Sequence, residues 1–189
     1  MPAIHATALD LTPPRFVEGL ADWSRGDGAA EAPSCEGWSA ARIVCGDPLL
    51  GDCLEIRMTR REERLRYMGE LPVRPGSAVE IRLRLRALAG PLPRARVAAR
   101  PGGGAGRILA DLPARGPLAD LPADGAAVEL RLVVSTTPGP RIDLVWNARA
   151  LYAHVGLDLV GRPGGVVRIA DIAACEIIPP SFPGFEVGL

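Results

Sequence analysis

Apolar and charged residues alternate without a break through residues 79–88, Val-Glu-Ile-Arg-Leu-Arg-Leu-Arg-Ala-Leu. Side chains on a strand point to opposite faces with a period of two, so Val79, Ile81, Leu83 and Leu85 share one face and Glu80, Arg82, Arg84 and Arg86 the other. At helical spacing the same residues would scatter arginines all round the cylinder. The pattern therefore predicts a strand with one packed and one wet side, as in antiparallel sheets. Two further runs repeat it: Val128, Leu130, Leu132 and Val134 against Glu129, Arg131 and Ser135, and Leu54, Ile56 and Met58 against Glu55 and Arg57. Adjacent strands of this kind place Glu55, Glu80 or Glu129 across from an arginine, and each such pair contributes about a few tenths of a kcal/mol.

Strand-like segments separated by Gly, Pro and Asp clusters account for nearly the whole chain, and no long window carries a helical stripe, so the class is all-β. The pattern predicts strands over 3–9, 41–45, 53–58, 64–68, 79–88, 95–100, 127–136, 142–147, 152–159 and 166–178. Turn chemistry lies between them at Arg74-Pro75-Gly76-Ser77, Pro101-Gly102-Gly103-Gly104, Ala123-Asp124-Gly125, Pro138-Gly139-Pro140 and Arg162-Pro163-Gly164-Gly165. Residues 109–122, punctuated by Pro113, Pro117 and Pro122, read as a loop with room for a short helical turn. From Pro179 onward, Pro180, Pro183 and Gly184 rule out a continued sheet. The expectation is one β-sandwich domain over 1–178 and an irregular tail over 179–189, pinned to the surface by Phe182 or Phe185.

Composition narrows the function classes. Hydrophobic residues make up 48% of the 189, enough for a sizeable core, and the 22 Gly and 19 Pro read as turns. All 22 basic residues are arginine, matched by 22 acidic ones, so no global field draws in nucleic acid or an anionic membrane. No stretch approaches the roughly 18 to 20 apolar residues that cross a bilayer, and the N-terminus lacks a basic region followed by an apolar core. The expected location is the cytoplasm, or the exterior by a route that needs no Sec signal. The spacings of Cys35, Cys45, Cys53 and Cys175 match no zinc motif. Cys35 and Cys45 would close a loop in an exported protein, and all four would be small buried thiols in a reducing compartment.

Many strands with one packed face each leave a choice between an immunoglobulin-like sandwich and a jelly roll, and the order of segments favours the jelly roll. Phe16-Val17-Glu18-Gly19 followed by Trp23 resembles the opening of bacterial carbohydrate-binding modules with the galactose-binding-like fold. Gly51-Asp52-Cys53-Leu54-Glu55-Ile56 resembles their second core strand, and Val73-Arg74-Pro75-Gly76 before 79–88 their turn and long central strand. Ile169-Ala170-Asp171-Ile172 resembles their closing strand. The resemblance implies an antiparallel jelly-roll β-sandwich that docks a glycan or glycoconjugate without catalysis. It also implies a structural calcium held by an acidic residue from the opening and one from the closing strand, here Glu18 and Asp171, with loop carbonyls supplying further oxygens. Two departures stand out. Val17 separates Phe16 from Glu18, and Ala170 replaces the first aspartate of the closing pair.

Sugar rings stack their apolar faces on aromatic side chains while polar groups bond the hydroxyls. The chain has three Trp, two Tyr and three Phe. Trp23 and Trp38 sit in loop-like sequence, and Trp146 shares the phase of the apolar Ile142 and Leu144, as a core residue would. Trp23 falls in the family opening, where it packs, which leaves Trp38 as the loop candidate. Tyr152, His154 and Asp158 share one phase of a strand whose other phase is apolar, and they form the candidate polar cluster. No Ser or Cys sits in a nucleophile motif, and no two carboxylates stand apart as a glycosidase pair. Arg25-Gly26-Asp27 and the Gly-rich 101–106 lack the context an integrin ligand or a phosphate cradle would need. The sequence thus points to a non-catalytic glycan-binding module whose ligand residues are Trp38, Tyr152, His154 and Asp158. Two readings stay open beside it: a structural or protein-interaction module, and a polysaccharide hydrolase or lyase.

Overall fold

The computed structural model describes residues 7–26 and 34–178. Its strands are β1 (Thr7–Asp10), β2 (Trp23–Ser24), β3 (Ala41–Asp47), β4 (Gly51–Arg57), β5 (Glu62–Tyr67), β6 (Leu71–Pro72) and β7 (Ala78–Ala89). They continue with β8 (Arg94–Gly102), β9 (Ala119–Asp120), β10 (Val128–Ser135), β11 (Leu144–Val145), β12 (Tyr152–Val160), β13 (Val166–Ala170) and β14 (Ala173–Ile178). A 3-10 turn, Phe16–Glu18, precedes β2.

Strand β7 is the spine of the first sheet. It pairs with β10 along one edge and with β14 and then β13 along the other, while β1 extends the sheet beyond β14 and β4 and β3 extend it beyond β13. The second sheet runs β2-β5-β12-β8-β9, with β6 also against β12. Apart from a two-residue parallel bridge between β10 and β11, the pairings are antiparallel. The sheets face each other across one apolar cluster that includes Leu54, Ile56, Ile81, Leu83, Leu85 and Leu132 from the first and Leu65, Val97, Val155 and Leu157 from the second. The architecture is an all-β jelly-roll sandwich.

The alternating runs land as their periods require. Val79, Ile81, Leu83 and Leu85 are buried, and the outer face of the first sheet is an ion-paired lattice. Glu55 sits between Arg42 and Arg168 in register and bonds both. Glu129 lies opposite Arg84, whereas Glu80 faces Val133 and Cys175 and reaches along its own strand to Arg82 and diagonally to Arg131. Asp47, at the end of β3, collects Arg86 and Arg168.

Four expectations change. The strand predicted over 166–178 is broken: between the pairs Ile169 with Leu85 and Ala173 with Arg82, three residues oppose only Arg84 and Leu83. The extra residue ends the ladder locally, as bulges do. It lets one run of chain pair first with β4 and then with β1. The strand over 142–147 shrinks to Leu144–Val145, because Asp143 turns back to accept the Val133 N–H at 2.7 Å. The loop over 109–122 instead runs along the edge of β8, with Ala99 N–H donating to Ala114, Gly116 N–H to Val97, and β9 completing the pairing. Cys35 and Cys45 form no bridge, since Cys35 is buried in the core and Cys45 exposed. Burial pushes the Cys35 thiol up to about 12, against the pull of Arg25, which keeps it protonated and inert. The tail over 179–189, with Phe182 and Phe185, lies outside the described residues, as does Asp27.

Candidate functional site

The side of the second sheet turned away from the core is built on β12. Ala153, Val155, Leu157 and Leu159 point into the apolar cluster, so Tyr152, His154, Gly156 and Asp158 point outward together, as their phase predicts. Register sets their neighbours. Arg100 lies opposite His154, Ala98 and Arg66 flank Gly156, and Arg96 and Arg64 flank Asp158.

Gly156 explains the arrangement. A Cβ there would come within 2.0 Å of the Leu65 carbonyl oxygen and 2.9 Å of Arg66 Cδ, so the arginine stem crosses the sheet over a position that only glycine leaves open. From there Arg66 donates to the Leu157 carbonyl at 2.6 Å and the Leu65 carbonyl at 3.0 Å, and its other terminal nitrogen meets Asp158 Oδ1. Arg96 Nε binds Asp158 Oδ2 at 2.8 Å, and Arg115 approaches the same oxygen at 3.7 Å. Burial by itself would raise the Asp158 pKa, yet Arg66 and Arg96 hold the carboxyl below its ordinary range. Gly156→Ala should push the Leu65 carbonyl back and displace the Arg66 stem, and cost about 1–3 kcal/mol by overpacking, read as a lower midpoint in urea with an unchanged slope. An unchanged midpoint would mean that neither the Leu65 carbonyl nor the arginine needs the glycine.

The other outward residues differ in exposure. Asp158 is fully buried and His154 only 2% exposed, whereas Tyr152 is half-buried at the end of the row, beside Gly102 and Pro72. The nearest acid to His154 is Glu70, 3.8 Å from Nε2. Burial lowers the His154 pKa, with Glu70 opposing, so the ring is neutral near pH 7. Trp38 is not part of this row. It is 8% exposed, packs into the core, and carries the Arg25 guanidinium 4.5 Å from its ring centroid. Trp23 and Trp146 are core residues, Trp23 against Phe16 and Tyr67, and Trp146 donating from Nε1 to the Pro113 carbonyl.

Beside Asp158 the arginines continue. Glu62 Oε2 accepts from Arg64 at 3.2 Å, and Glu62 Oε1 lies near Arg96 and Arg115. Glu63 is buried on the opposite phase: Thr59 donates to its Oε1 from both backbone and hydroxyl, and Arg25 and Arg60 share its Oε2. Arg25, Gly26, Arg60, Glu62 and Arg64 line a cleft of about 470 Å³. Sequence reading missed these arginines, because a charged side chain is ordinarily assigned to solvent. The usable signal was Gly156, a glycine inside a strand pattern, which marks a place where another group comes close.

The pair named for calcium does other work. Asp171 Oδ1 accepts the Phe16 N–H at 2.7 Å and Oδ2 accepts Arg15 Nε at 3.0 Å, while Arg15 also reaches Asp52 at 3.6 Å. Glu18 is exposed at the end of the 3-10 turn. Calcium needs roughly six to eight oxygens, whereas here a guanidinium already sits between two of the acids, and a cation is repelled by a cation. Among the described residues no group of three or more His, Cys, Asp or Glu is placed to hold a metal. The residues present do not fit the ion. Asp171 instead ties the opening turn to the bulge between β13 and β14.

No sequence family and no curated protein matches the chain. Solved structures do. The N-terminal CBM22-1-CBM22-2 tandem domain of Paenibacillus barcinonensis Xyn10C superposes with a TM-score of 0.55 at 13% identity, over 98% of this chain and 50% of that one. The C-terminal family 22 carbohydrate-binding module of Clostridium thermocellum Xyn10B gives 0.54 at 12% identity, over 90% of this chain and 96% of the module. The enzymatically active domain of bacteriophage CBA120 tailspike protein 4 gives 0.50 at 12% identity, with 84% of this chain spanning only 20% of that domain. At these identities the likeness is one of fold, the jelly-roll sandwich that several bacterial carbohydrate-binding modules share.

Proposed function

We propose that this chain is a non-catalytic carbohydrate-binding module that docks a glycan or glycoconjugate on the outer face of its second sheet. One observation carries the reading: Tyr152 stands half-buried at the open end of the β12 phase that points away from the core, with His154 and Asp158 buried behind it in the same row, in a fold shared with carbohydrate-binding modules. Tyr152, the half-buried aromatic at the open end of the row, offers the stacking surface, and His154 beside it is a buried, neutral ring that backs the row. Asp158 acts indirectly, by fixing Arg66 and Arg96. Trp38 acts through Arg25, whose guanidinium it carries.

A glycan array followed by calorimetry on the best ligand tests this. Tyr152→Ala should weaken binding by about tenfold or more while leaving the melting temperature close to that of the parent protein. Binding that survives Tyr152→Ala unchanged removes the proposed face. Absence of signal for every glycan, together with a stable complex with another protein, favours an interaction module.

A further inference from the structure

The charged lattice on the first sheet departs from its own pattern at one place. Glu55 lies between Arg42 and Arg168 in register, and Glu129 lies opposite Arg84. Where Arg86 stands opposite Arg168, two acids, Asp47 and Glu55, serve the pair. Arg82 and Arg131 are also directly opposite, on β7 and β10, yet Glu80 is the one carboxylate bonded to them among the described residues. Like charges paired across strands repel, so a single negative charge leaves this pair with a net positive one.

A cleft of about 630 Å³ opens beside that pair. Glu80, Arg82, Arg131 and Arg141 line it, with Ile142 and Ile177 as half-buried apolar walls. The Glu80 side chain is only 8% exposed, against 52% for Arg82 and 40% for Arg131. Both its oxygens are taken, Oε2 by Arg82 at 2.9 Å and Oε1 by Arg131, and although burial opposes its charge the two guanidinium groups hold it ionised. Arg82 spends one terminal nitrogen on that acid and Arg131 its Nε, so each keeps donors for a second anion. Arg141 is exposed, and among the described residues its side chain makes no ion pair or hydrogen bond. The segment that carries it is fixed against β10, because Asp143 N–H donates to the Val133 carbonyl at 2.9 Å and Asp143 Oδ2 accepts the Val133 N–H at 2.7 Å. Three arginines thus share one sunken carboxylate. Other acids of this face do not line the cleft: Asp143 is spent on Val133, Asp10 accepts the Thr12 N–H, and Glu129 lies across from Arg84.

We propose that this cleft is a binding site, separate from the glycan-docking face, for a small organic carboxylate with an apolar body. The carboxylate meets the guanidinium forks of Arg82, Arg131 and Arg141, where two positive charges remain once Glu80 is counted, and such forks match a carboxylate two bonds at a time. The aryl or branched alkyl body covers Ile142 and Ile177, which an inorganic ion would leave wet. The volume suits a small molecule.

Calorimetry with the full chain tests it, with phenylacetate and isovalerate as probes. At least one should bind with a Kd on the order of 1 mM or tighter. Phenylacetamide, which keeps the shape and loses the charge, and acetate, which keeps the charge and loses the body, should each be about tenfold weaker. Arg141→Gln should weaken the probe by about fivefold and Arg141→Lys should recover part of the loss. Melting temperatures should stay at the parent value, because the Arg141 side chain bonds to nothing in the described fold. Arg162→Gln, at an exposed arginine on another turn, should bind as the parent protein does. Acetate or inorganic phosphate binding as tightly as the probes overturns the proposal, since charge alone would then account for it. Equal binding of the amide, affinity that ignores Arg141→Gln, or no heat from either probe at about 10 mM overturns it as well. None of these outcomes touches the Tyr152 face, whose own test is glycan binding.

Discussion

Replacing Asp158 by alanine should destabilise the fold by about 3–5 kcal/mol, because it leaves the buried Arg66 guanidinium without its carboxylate. Arg66 is 2% exposed, and its stem is trapped over Gly156 between Leu65 and Leu157, so it has no route back to water short of opening β5 from β12. Chemical denaturation would read the loss as a shift in midpoint. Asp158→Asn keeps the shape and one acceptor and should cost less than alanine. The double replacement Arg66→Met with Asp158→Leu separates charge from packing: matched apolar residues in place of a buried pair are often neutral or stabilising. Recovery of the parent midpoint in that variant assigns the alanine penalty to the orphaned charge. Failure to recover would mean that the hydrogen bonds to Leu65 and Leu157 carry the strand contact.

The same pair sets a pH dependence. Burial opposes ionisation of Asp158, but Arg66 and Arg96 prevail and place its folded pKa below the unfolded value. A carboxyl depressed on folding contributes stability that is fully present above the unfolded pKa, near about 4, and that is lost as pH falls through the folded one. Glu63, held by Thr59, Arg60 and Arg25 against its own burial, shifts the same way, as do Asp47, Glu55 and Glu80 on the other sheet. Stability should therefore decline below about pH 4, and the Asp158→Asn variant should decline less steeply.

These acids show where sequence reading stops. The period of two identifies the outward phase of β12, and Tyr152, His154 and Asp158 do share it. It says nothing of what lies over that phase. Whether Asp158 is wet or sealed depends on Arg66 and Arg96, which are separated from it by 92 and 62 residues and meet it only through the β5-β12-β8 register. On the first sheet the alternation of β4 puts Glu55 on the wet face, and the register sets it across from Arg42 and Arg168, the opposite-charge pairing that the pattern implies. The break at Asp171 was hidden for a different reason: an apolar run that pairs with two partners in turn looks like one strand until the extra residue is placed. Residues 109–122 hid behind their prolines. A proline lacks the ladder donor but tolerates a sheet edge, which is where Pro113 and Pro117 lie beside β8.

Leu83→Ala should cost about 2–5 kcal/mol, the sum of lost transfer energy and an unfilled cavity. Leu83 lies near the middle of β7, opposite Leu130, and is 1% exposed within the apolar cluster shared by both sheets. Because β7 carries partners on both edges, it cannot slide to fill the space without breaking three pairings. Arg84, the next residue, supplies the contrast. It is exposed on the lattice face and donates to the Leu49 carbonyl at 2.8 Å, so Arg84→Ala should stay within about 0.5 kcal/mol of the parent protein. Urea unfolding of the two variants compares the two faces of one strand at adjacent positions. A large Leu83 penalty with a small Arg84 penalty is the energetic counterpart of the alternation. Equal penalties would show that the lattice contributes as much as the core, and that the charged face of β7 holds the sandwich together in a way its exposure does not reveal.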